Sequence, residues 1–115
     1  MSHSCIFCRI VRGEAPADVV HQDDKVTAFR DINPRAPVHI LVVPNRHIPG
    51  VSSLDAQDTE LVGHMVQVAK TLAEKEGVAG SGYRLVINDG PMAGQTVFHL
   101  HLHLLGGRRM SWPPG

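Results

Sequence analysis

The sequence predicts an α+β fold with a five-stranded antiparallel sheet, one long helix and a short N-terminal helix. Five short runs rich in β-branched and aromatic side chains are bounded mostly by glycine, proline or acidic turn residues, as strands are. A longer stretch, residues 55–76, repeats its apolar side chains every three or four positions, as a helix with one buried face does. Strands with only one long helix favour separate layers, so we expect that helix to cover one face of the sheet.

The individual elements follow from local signals along the chain. The predicted strands are residues 19–22, 25–30, 38–43, 83–88 and 97–105. The first two form a hairpin around the acidic turn Asp23-Asp24. Residues 5–12 predict a short helix that ends at Gly13, and Gly77 ends the long helix, because glycine is favoured just after the last helical turn. No repeat or linker interrupts the pattern, and we expect one domain over residues 1–115.

Composition excludes several classes of function. The chain carries 11 basic and 11 acidic side chains among 115 residues. General charge attraction to nucleic acid is therefore not expected, although a local pocket for one phosphate is compatible with this balance. No signal-peptide pattern follows Met1, and no run approaches the ~18 apolar residues of a membrane span. We expect a cytoplasmic protein without membrane contact, in which thiols stay reduced.

The segment before Gly106 places three histidines at alternate positions, His99, His101 and His103. On a strand these side chains share one face, while the leucines between them enter the core. Three interpretations compete: a solvated surface, a three-histidine metal site, and nucleophilic and acid–base catalysis at phosphorus. One metal ion cannot easily hold the outer pair, about 13 Å apart, at bonding distance. Imidazole, in contrast, can act as a nucleophile when neutral and as an acid when charged.

The motif His99-Leu100-His101-Leu102-His103-Leu104-Leu105 matches the pattern His-φ-His-φ-His-φ-φ, in which φ is apolar. This motif resembles the histidine triad (HIT) superfamily. Residues 31–39, 94–99 and 106–115 resemble its histidine triad nucleotide-binding (HINT) branch, in the bacterial type with a Cys-x-x-Cys zinc motif. The Trp-Pro-Pro-Gly ending separates this branch from the dinucleoside polyphosphate hydrolases of the superfamily. The resemblance implies the HIT-like fold and a homodimer whose sheets join edge to edge.

The resemblance also implies an activity, purine nucleoside phosphoramidase, which hydrolyses the P–N bond of adenosine 5′-monophosphoramidates and releases AMP. In the family the middle histidine, here His101, attacks the α-phosphate and becomes nucleotidylated. This intermediate replaces one hard displacement with two easier ones. His39 and His103 match the histidines that orient the site and move the proton to the leaving group. Thr96 stands where the family usually has serine, and it retains the hydroxyl.

A nucleotide site follows from the same resemblance. Its residues are Phe29, Asp31, Ile32, Asn88, Gly94, Gln95, Thr96, His101 and His103. Asp31 matches the carboxylate that binds the ribose hydroxyls, and Phe29 and Ile32 form an apolar slot for the purine of AMP or GMP derivatives. The residues alone are also compatible with a turn-stabilising aspartate and two core side chains. Gly94 and Gln95 would lend backbone N–H groups to the phosphate, because glycine permits close approach.

Cys5 and Cys8 form a Cys-x-x-Cys pair. By themselves they are compatible with two buried thiols, a redox pair or metal ligands, and no βαβ pattern supports the redox interpretation. The resemblance implies a zinc site made of Cys5, Cys8, His47 and His99, and two thiolates with two imidazoles suit tetrahedral Zn²⁺. Four protein ligands leave no open position for water. We therefore expect a structural zinc that pins the N-terminal helix and is not required for the chemistry.

The sequence leaves three functions to be distinguished. The first is the phosphoramidase. The second is another enzyme, a dinucleoside polyphosphate hydrolase or nucleotidyl transferase, which the C-terminal sequence disfavours. The third is a zinc-bearing nucleotide sensor or interaction protein, and the complete set of His39, His101 and His103 argues against an inactive site.

Overall fold

A computed structural model describes residues 5–115, so the first four residues of the predicted domain lie outside the described part. The helices in this range are α1 (Ile6–Val11) and α2 (Thr59–Lys75), and the strands are β1 (Val19–Gln22), β2 (Val26–Arg30), β3 (Val38–Pro44), β4 (Tyr83–Ile87) and β5 (Leu102–Gly106). The strands form one sheet in the order β1-β2-β3-β5-β4, and every neighbouring pair is antiparallel. The predicted α+β fold with a five-stranded antiparallel sheet is confirmed.

β3 lies at the centre of the sheet and is buried along its whole length. Its nearly uninterrupted apolar sequence fits a strand that is covered on both faces. Ile40 and Val42 belong to an apolar cluster beneath α2, whereas Leu41 and Val43 belong to a second cluster beneath α1. Because side chains alternate along a strand, His39 shares the α1 face with Leu41 and Val43. The functional site forms on this face.

The long helix begins at Thr59, four residues later than the sequence predicts. Residues 56–58 form a 3₁₀ turn instead. The Asp55 carboxylate accepts a hydrogen bond from the N–H of Gln57, and the Asp58 carboxylate accepts one from the N–H of Asp55. This reciprocal capping box gives the N–H groups of Asp55 and Gln57 side-chain acceptors. The α-helix therefore begins only after this turn.

The end of the long helix agrees with the prediction. Gly77 follows the helix with φ of 76°, the left-handed conformation in which glycine commonly ends helices. The N–H of Val78 then donates to the carbonyl of Ala73, so the chain turns away from the helix axis.

No helix in the described part of the chain is both long and apolar enough to cross a membrane.

The last strand is shorter than predicted, because its paired part begins at Leu102 and not at residue 97. Leu102 pairs with Val42 on one side and with Ile87 on the other. Two residues further along β3 lies Pro44, which has no N–H to donate to a ladder. Pairing of the predicted strand therefore stops, and residues 97–101 run outside the sheet.

The alternation of side chains nevertheless continues outside the paired strand. The N–H of Leu100 donates to the carbonyl of Ile48 at 2.7 Å, which anchors the segment that precedes β5. The three leucines at alternate positions of the motif are at most 2% exposed and lie in the cluster beneath α2; they are Leu100, Leu102 and Leu104. The three histidines are thereby kept out of that cluster, as the sequence predicts.

Candidate functional site

A cavity of about 430 Å³ lies on the α1 face of the sheet. It is enclosed by α1, the end of β2 with the turn that follows it, and the loop before β5. Most of its lining is apolar, and several polar side chains also line it: Arg30, Asp31, Asn33, Asn88, Thr96, His101 and His103. This combination is typical of a binding site for a small molecule.

His101 is almost completely buried and lines this cavity with its imidazole. Its Nδ1 lies 2.8 Å from the backbone carbonyl oxygen of His99. Since a carbonyl can only accept a hydrogen bond, Nδ1 carries the proton and Nε2 keeps its lone pair. Phe7 packs edge-on against the ring with the centroids 5.2 Å apart. The ring is therefore held in one orientation and in the tautomer that leaves Nε2 as the nucleophilic nitrogen.

His39 and His103 form a hydrogen-bonded chain beside His101. His39 Nε2 lies 3.0 Å from His103 Nδ1, and the backbone N–H of Arg35 donates to His39 Nδ1 at 3.0 Å. A neutral His39 therefore carries its proton on Nε2 and donates it to His103, which in turn carries its own proton on Nε2. His39 does not line the cavity but lies behind His103, with Asp31 Oδ2 3.4 Å from its Nε2.

The surroundings keep both of these imidazoles neutral. Burial lowers the pKa of His103 from 6.5 to about 4, and charge repulsion from His101 and His39 acts in the same direction. Burial also lowers the pKa of His39, an effect that the nearby Asp31 carboxylate opposes and Arg35 reinforces. At neutral pH the hydrogen-bonded pair of His39 and His103 can therefore take up a proton when a negatively charged group enters the cavity.

Asp31 fits both interpretations that its sequence position allows. Its Oδ1 accepts the N–H of Asn33 at 2.8 Å, as a turn-stabilising aspartate does. The same residue lines the cavity, where its carboxylate is within reach of a ligand. Phe29 is buried in the cavity wall, whereas Ile32 is 89% exposed at its edge. The two predicted apolar contacts therefore lie along one cavity, one as wall and one as rim.

The loop between β4 and β5 brings three predicted residues to the cavity: Asn88, Gly94 and Thr96. Gly94 has φ of 92°, a conformation that residues with a side chain rarely adopt, so glycine is required here. Its N–H donates to the carbonyl of Pro91 within the loop. This N–H is engaged within the loop, and its contact with a phosphate stays a prediction.

Gln95, also predicted to contact the phosphate through its N–H, lies behind the loop, and that contact stays a prediction. It is 4% exposed and is not among the residues that line the cavity. Its side-chain Oε1 accepts the N–H of Gly90 at 2.7 Å, and its Nε2 donates to the carbonyl of Pro49 at 2.8 Å. Its backbone N–H donates to the carbonyl of Gly90. Gln95 therefore braces the loop from behind, and both its backbone and its side chain are engaged in that role.

A second cluster, made of Cys5, Cys8, His47 and His99, forms where α1 begins. Its contacts are His47 Nδ1 to His99 Nδ1 at 3.2 Å, Cys8 Sγ to His47 Nδ1 at 3.3 Å, Cys5 Sγ to His99 Nδ1 at 3.4 Å and Cys8 Sγ to His99 Nδ1 at 3.5 Å. Tetrahedral zinc spaces such ligand atoms about 3.3–3.8 Å apart. The four predicted metal ligands therefore come together at a spacing that fits Zn²⁺.

The state of His99 also suits a metal ligand. Its Nε2 lies 2.8 Å from the carbonyl oxygen of Pro44, so Nε2 carries the proton and the lone pair of Nδ1 points into the cluster. Burial lowers the pKa of His99 to about 4, which keeps the ring in the neutral form that binds metal. His99 thus lies in the metal-ligand cluster and His101 in the cavity, although they are only two residues apart.

Comparison with known proteins decides the family. The sequence profile of the HIT domain matches residues 12–110. The chain belongs to the HIT family. The matched range begins after Cys5 and Cys8, so the thiolates of the metal cluster are contributed by residues that precede the HIT profile.

Three similar proteins show what this HIT chain resembles. The purine nucleoside phosphoramidase of Escherichia coli (strain K12) is 52% identical over 111 residues, which are 96% of this chain and 93% of that protein. The 14 kDa zinc-binding protein of Zea mays is 50% identical over 112 residues, 96% of this chain and 87% of that protein. The crystal structure of the HIT family hydrolase from Legionella pneumophila Philadelphia 1 has a TM-score of 0.95 and 50% identity, and the match covers 96% of this chain and 99% of that one.

The contribution of α1 to this HIT site is the feature that sequence reasoning missed. Ile6, Phe7 and Ile10 line the cavity, and Phe7 packs edge-on against Phe29 with the centroids 5.3 Å apart. A signal for this was present, because Phe7 lies between the two cysteines. If both cysteines reach His99, the residue between them must lie close to the histidine segment.

Proposed function

We propose that this HIT protein hydrolyses the P–N bond of adenosine 5′-monophosphoramidates through a nucleotidyl intermediate on His101 and releases AMP. The observation that carries the proposal is the hydrogen bond from His101 Nδ1 to the carbonyl of His99, because it leaves Nε2 unprotonated at the wall of the cavity. The similarity to a purine nucleoside phosphoramidase at 52% identity supports the same reaction class.

Substrate binding in this proposal uses the two ends of the cavity. The purine lies against Phe29 and Ile32, and the ribose hydroxyls donate to Asp31, whose oxygens retain lone pairs beyond the bond to Asn33. The phosphate lies towards His101. Asn88 and Thr96 are the side chains along the loop that would donate to its oxygens.

The first chemical step forms a bond between His101 Nε2 and the α-phosphorus and breaks the P–N bond of the substrate. The leaving amine needs a proton. The negative charge of the bound phosphate raises the pKa of the neighbouring imidazoles, so that His103, backed by His39, takes up a proton and supplies it through Nε2. The hydroxyl of Thr96 lies along the same cavity and would donate to the phosphate or to the leaving nitrogen.

The second step returns the enzyme to its starting state. Water attacks the phosphorus, its proton passes to the now neutral His103, and the bond between phosphorus and His101 breaks. AMP leaves, His103 returns to solvent the proton that it now carries, because the phosphate charge has departed, and His101 regains the tautomer that its bond to His99 imposes. The reaction thus consumes one water and yields AMP and the free amine.

Cys5, Cys8, His47 and His99 would hold Zn²⁺ in this protein. With four protein ligands the metal supplies structural stabilisation rather than a reactive water. It would fix α1, and with it Phe7, against the segment that carries His101. The predicted homodimer, the cytoplasmic location and the absence of a nucleic-acid partner stay predictions.

The test is hydrolysis of an adenosine 5′-phosphoramidate by the wild type, by His101→Ala and by His64→Gln, a histidine on α2 outside the cavity. We expect turnover in the wild type and in His64→Gln, none in His101→Ala, and an AMP adduct on rapidly quenched wild-type protein. Tight AMP binding without turnover in the wild type would instead favour a nucleotide sensor. Turnover of diadenosine polyphosphates alone would favour the dinucleoside polyphosphate hydrolase.

A further inference from the structure

Three side chains outside the cavity converge on one point at the opposite side of the sheet. His21 comes from β1, Asp23 from the turn that follows it, and His64 from α2. His21 Nε2 and His64 Nε2 each lie 2.7 Å from the same oxygen, Asp23 Oδ2. The three potential ligand atoms all lie within 4.8 Å of one another. Sequence patterns suggest only surface or packing roles for the two histidines.

The carboxylate at the centre of this group is fixed by its other oxygen. Asp23 Oδ1 accepts the N–H groups of Lys25 and Val26, both at 2.8 Å. Burial would raise the pKa of Asp23, but the hydrogen bonds from His21, His64 and these two N–H groups outweigh it and hold the pKa below its ordinary range. The carboxylate is therefore ionised and oriented, as the carboxylates of metal sites are.

The surroundings favour a cation and leave room for water. A surface depression beside the group is lined by Asp23, Asp24, Lys25, Glu60 and His64, that is, by three carboxylates and one lysine. The three converging side chains are between 27% and 36% exposed, so solvent reaches the point where they meet. Water can therefore complete the coordination of an ion held there by two imidazoles and one carboxylate.

We propose that His21, Asp23 and His64 form a second metal site, which binds a divalent transition-metal ion such as Zn²⁺. Tetrahedral zinc spaces its nitrogen and oxygen ligands about 3.3–3.5 Å apart, so side-chain rotations that lengthen the present contacts by less than about 1 Å are sufficient. With three protein ligands and no thiolate, the site binds zinc more weakly than the cluster of Cys5 and Cys8. Occupancy clamps the β1–β2 hairpin to α2.

The experiment measures zinc bound per chain by elemental analysis after dialysis against a series of buffered free-zinc concentrations at neutral pH. The wild type is expected to fill in two steps, first the thiolate cluster and then the His21–Asp23–His64 site. His64→Gln and His21→Gln retain a side chain that can donate to Asp23, which helps the fold to survive, but each loses an imidazole ligand. The second step is expected to weaken about tenfold or more in each variant.

Cys8→Ser is the matched control, because it is expected to lose the first step and keep the second. Circular dichroism checks that each variant is folded. A wild type with no second step overturns the proposal, and so does a second step that both histidine variants retain unchanged. Neither result affects the proposed phosphoramidase, since none of the three side chains lines the cavity of His101.

Discussion

The neutral state of His103 makes a quantitative prediction for the free energy of unfolding. In the folded protein the pKa of His103 is lowered to about 4, whereas in the unfolded chain it returns to about 6.5. Between these two values the unfolded chain binds a proton that the folded protein does not bind. The stability contributed by this group is therefore complete above pH 6.5, is lost as the pH falls, and reaches its minimum below pH of about 4.

The size of the effect follows from the same two values. Lowering the pH from 7 to 5 is expected to cost about 2 kcal/mol at His103 alone. Other groups also titrate in this range, so the wild type is compared with His103→Asn. The asparagine retains a carbonyl that can accept the N–H of His39 Nε2 but has no proton to gain.

The assay is urea unfolding at pH 7 and pH 5, followed by circular dichroism. Tryptophan fluorescence is a poor probe here, because Trp112 is 85% exposed in the folded protein. The wild type is expected to lose about 2 kcal/mol more than His103→Asn between the two pH values. Equal losses in the two proteins would refute the inference that burial keeps His103 neutral.

Three further predictions concern the core, the metal cluster and the ribose contact. Leu104→Ala removes a fully buried side chain and is expected to cost about 2–5 kcal/mol in urea unfolding, whereas exposed Met92→Ala changes stability by less than about 0.5 kcal/mol. Cys8→Ser is expected to lower both the zinc content and the thermal midpoint, and a midpoint insensitive to chelator in both proteins would contradict this. Asp31→Asn can still accept the N–H of Asn33 but loses the charge, so it is expected to raise KM about tenfold; an unchanged KM would exclude the ribose contact.

The elements that the sequence predicted correctly are those with a repeating pattern. β3 is an apolar run because both of its faces are covered, and α2 repeats its apolar residues every three or four positions because one face is covered. Both patterns can be recognised from neighbouring residues in the sequence. The predicted start of α2 was four residues too early, because side-chain capping by Asp55 and Asp58 competes with the hydrogen bonds of the helix. Such competition depends on rotamers that a periodicity does not reveal.

The predicted site residues also divide into those that the sequence indicates and those whose contacts depend on the folded structure. His101 and His103 were predicted from a short motif and His39 from the family resemblance of residues 31–39, and the three lie together in the structure, as do Cys5 and Cys8 with His47 and His99. The bond of the Gln95 N–H to Gly90 could not be predicted, because the direction of a loop N–H depends on how the loop closes on itself. The convergence of His21 and His64 could not be predicted either, since the two residues lie 43 positions apart on different elements. Contacts of this kind are decided by tertiary packing.

The predicted last strand was too long at the segment that orients His99 and His101. If residues 97–105 formed one paired strand, the carbonyl of His99 would point towards a neighbouring strand and could accept a hydrogen bond from it. Because pairing stops opposite Pro44, that carbonyl instead accepts the proton of His101 Nδ1, while the His99 ring donates to the carbonyl of Pro44 and turns its free nitrogen towards the cysteines. One unpaired residue thus sets the tautomer of His101, the proposed nucleophile, and contributes a ring to the Cys5-Cys8-His47-His99 cluster, the proposed zinc site. The departure from regular strand geometry lies at the proposed site of the chemistry, and a protein that continued the ladder through His99 would lose the acceptor that orients His101.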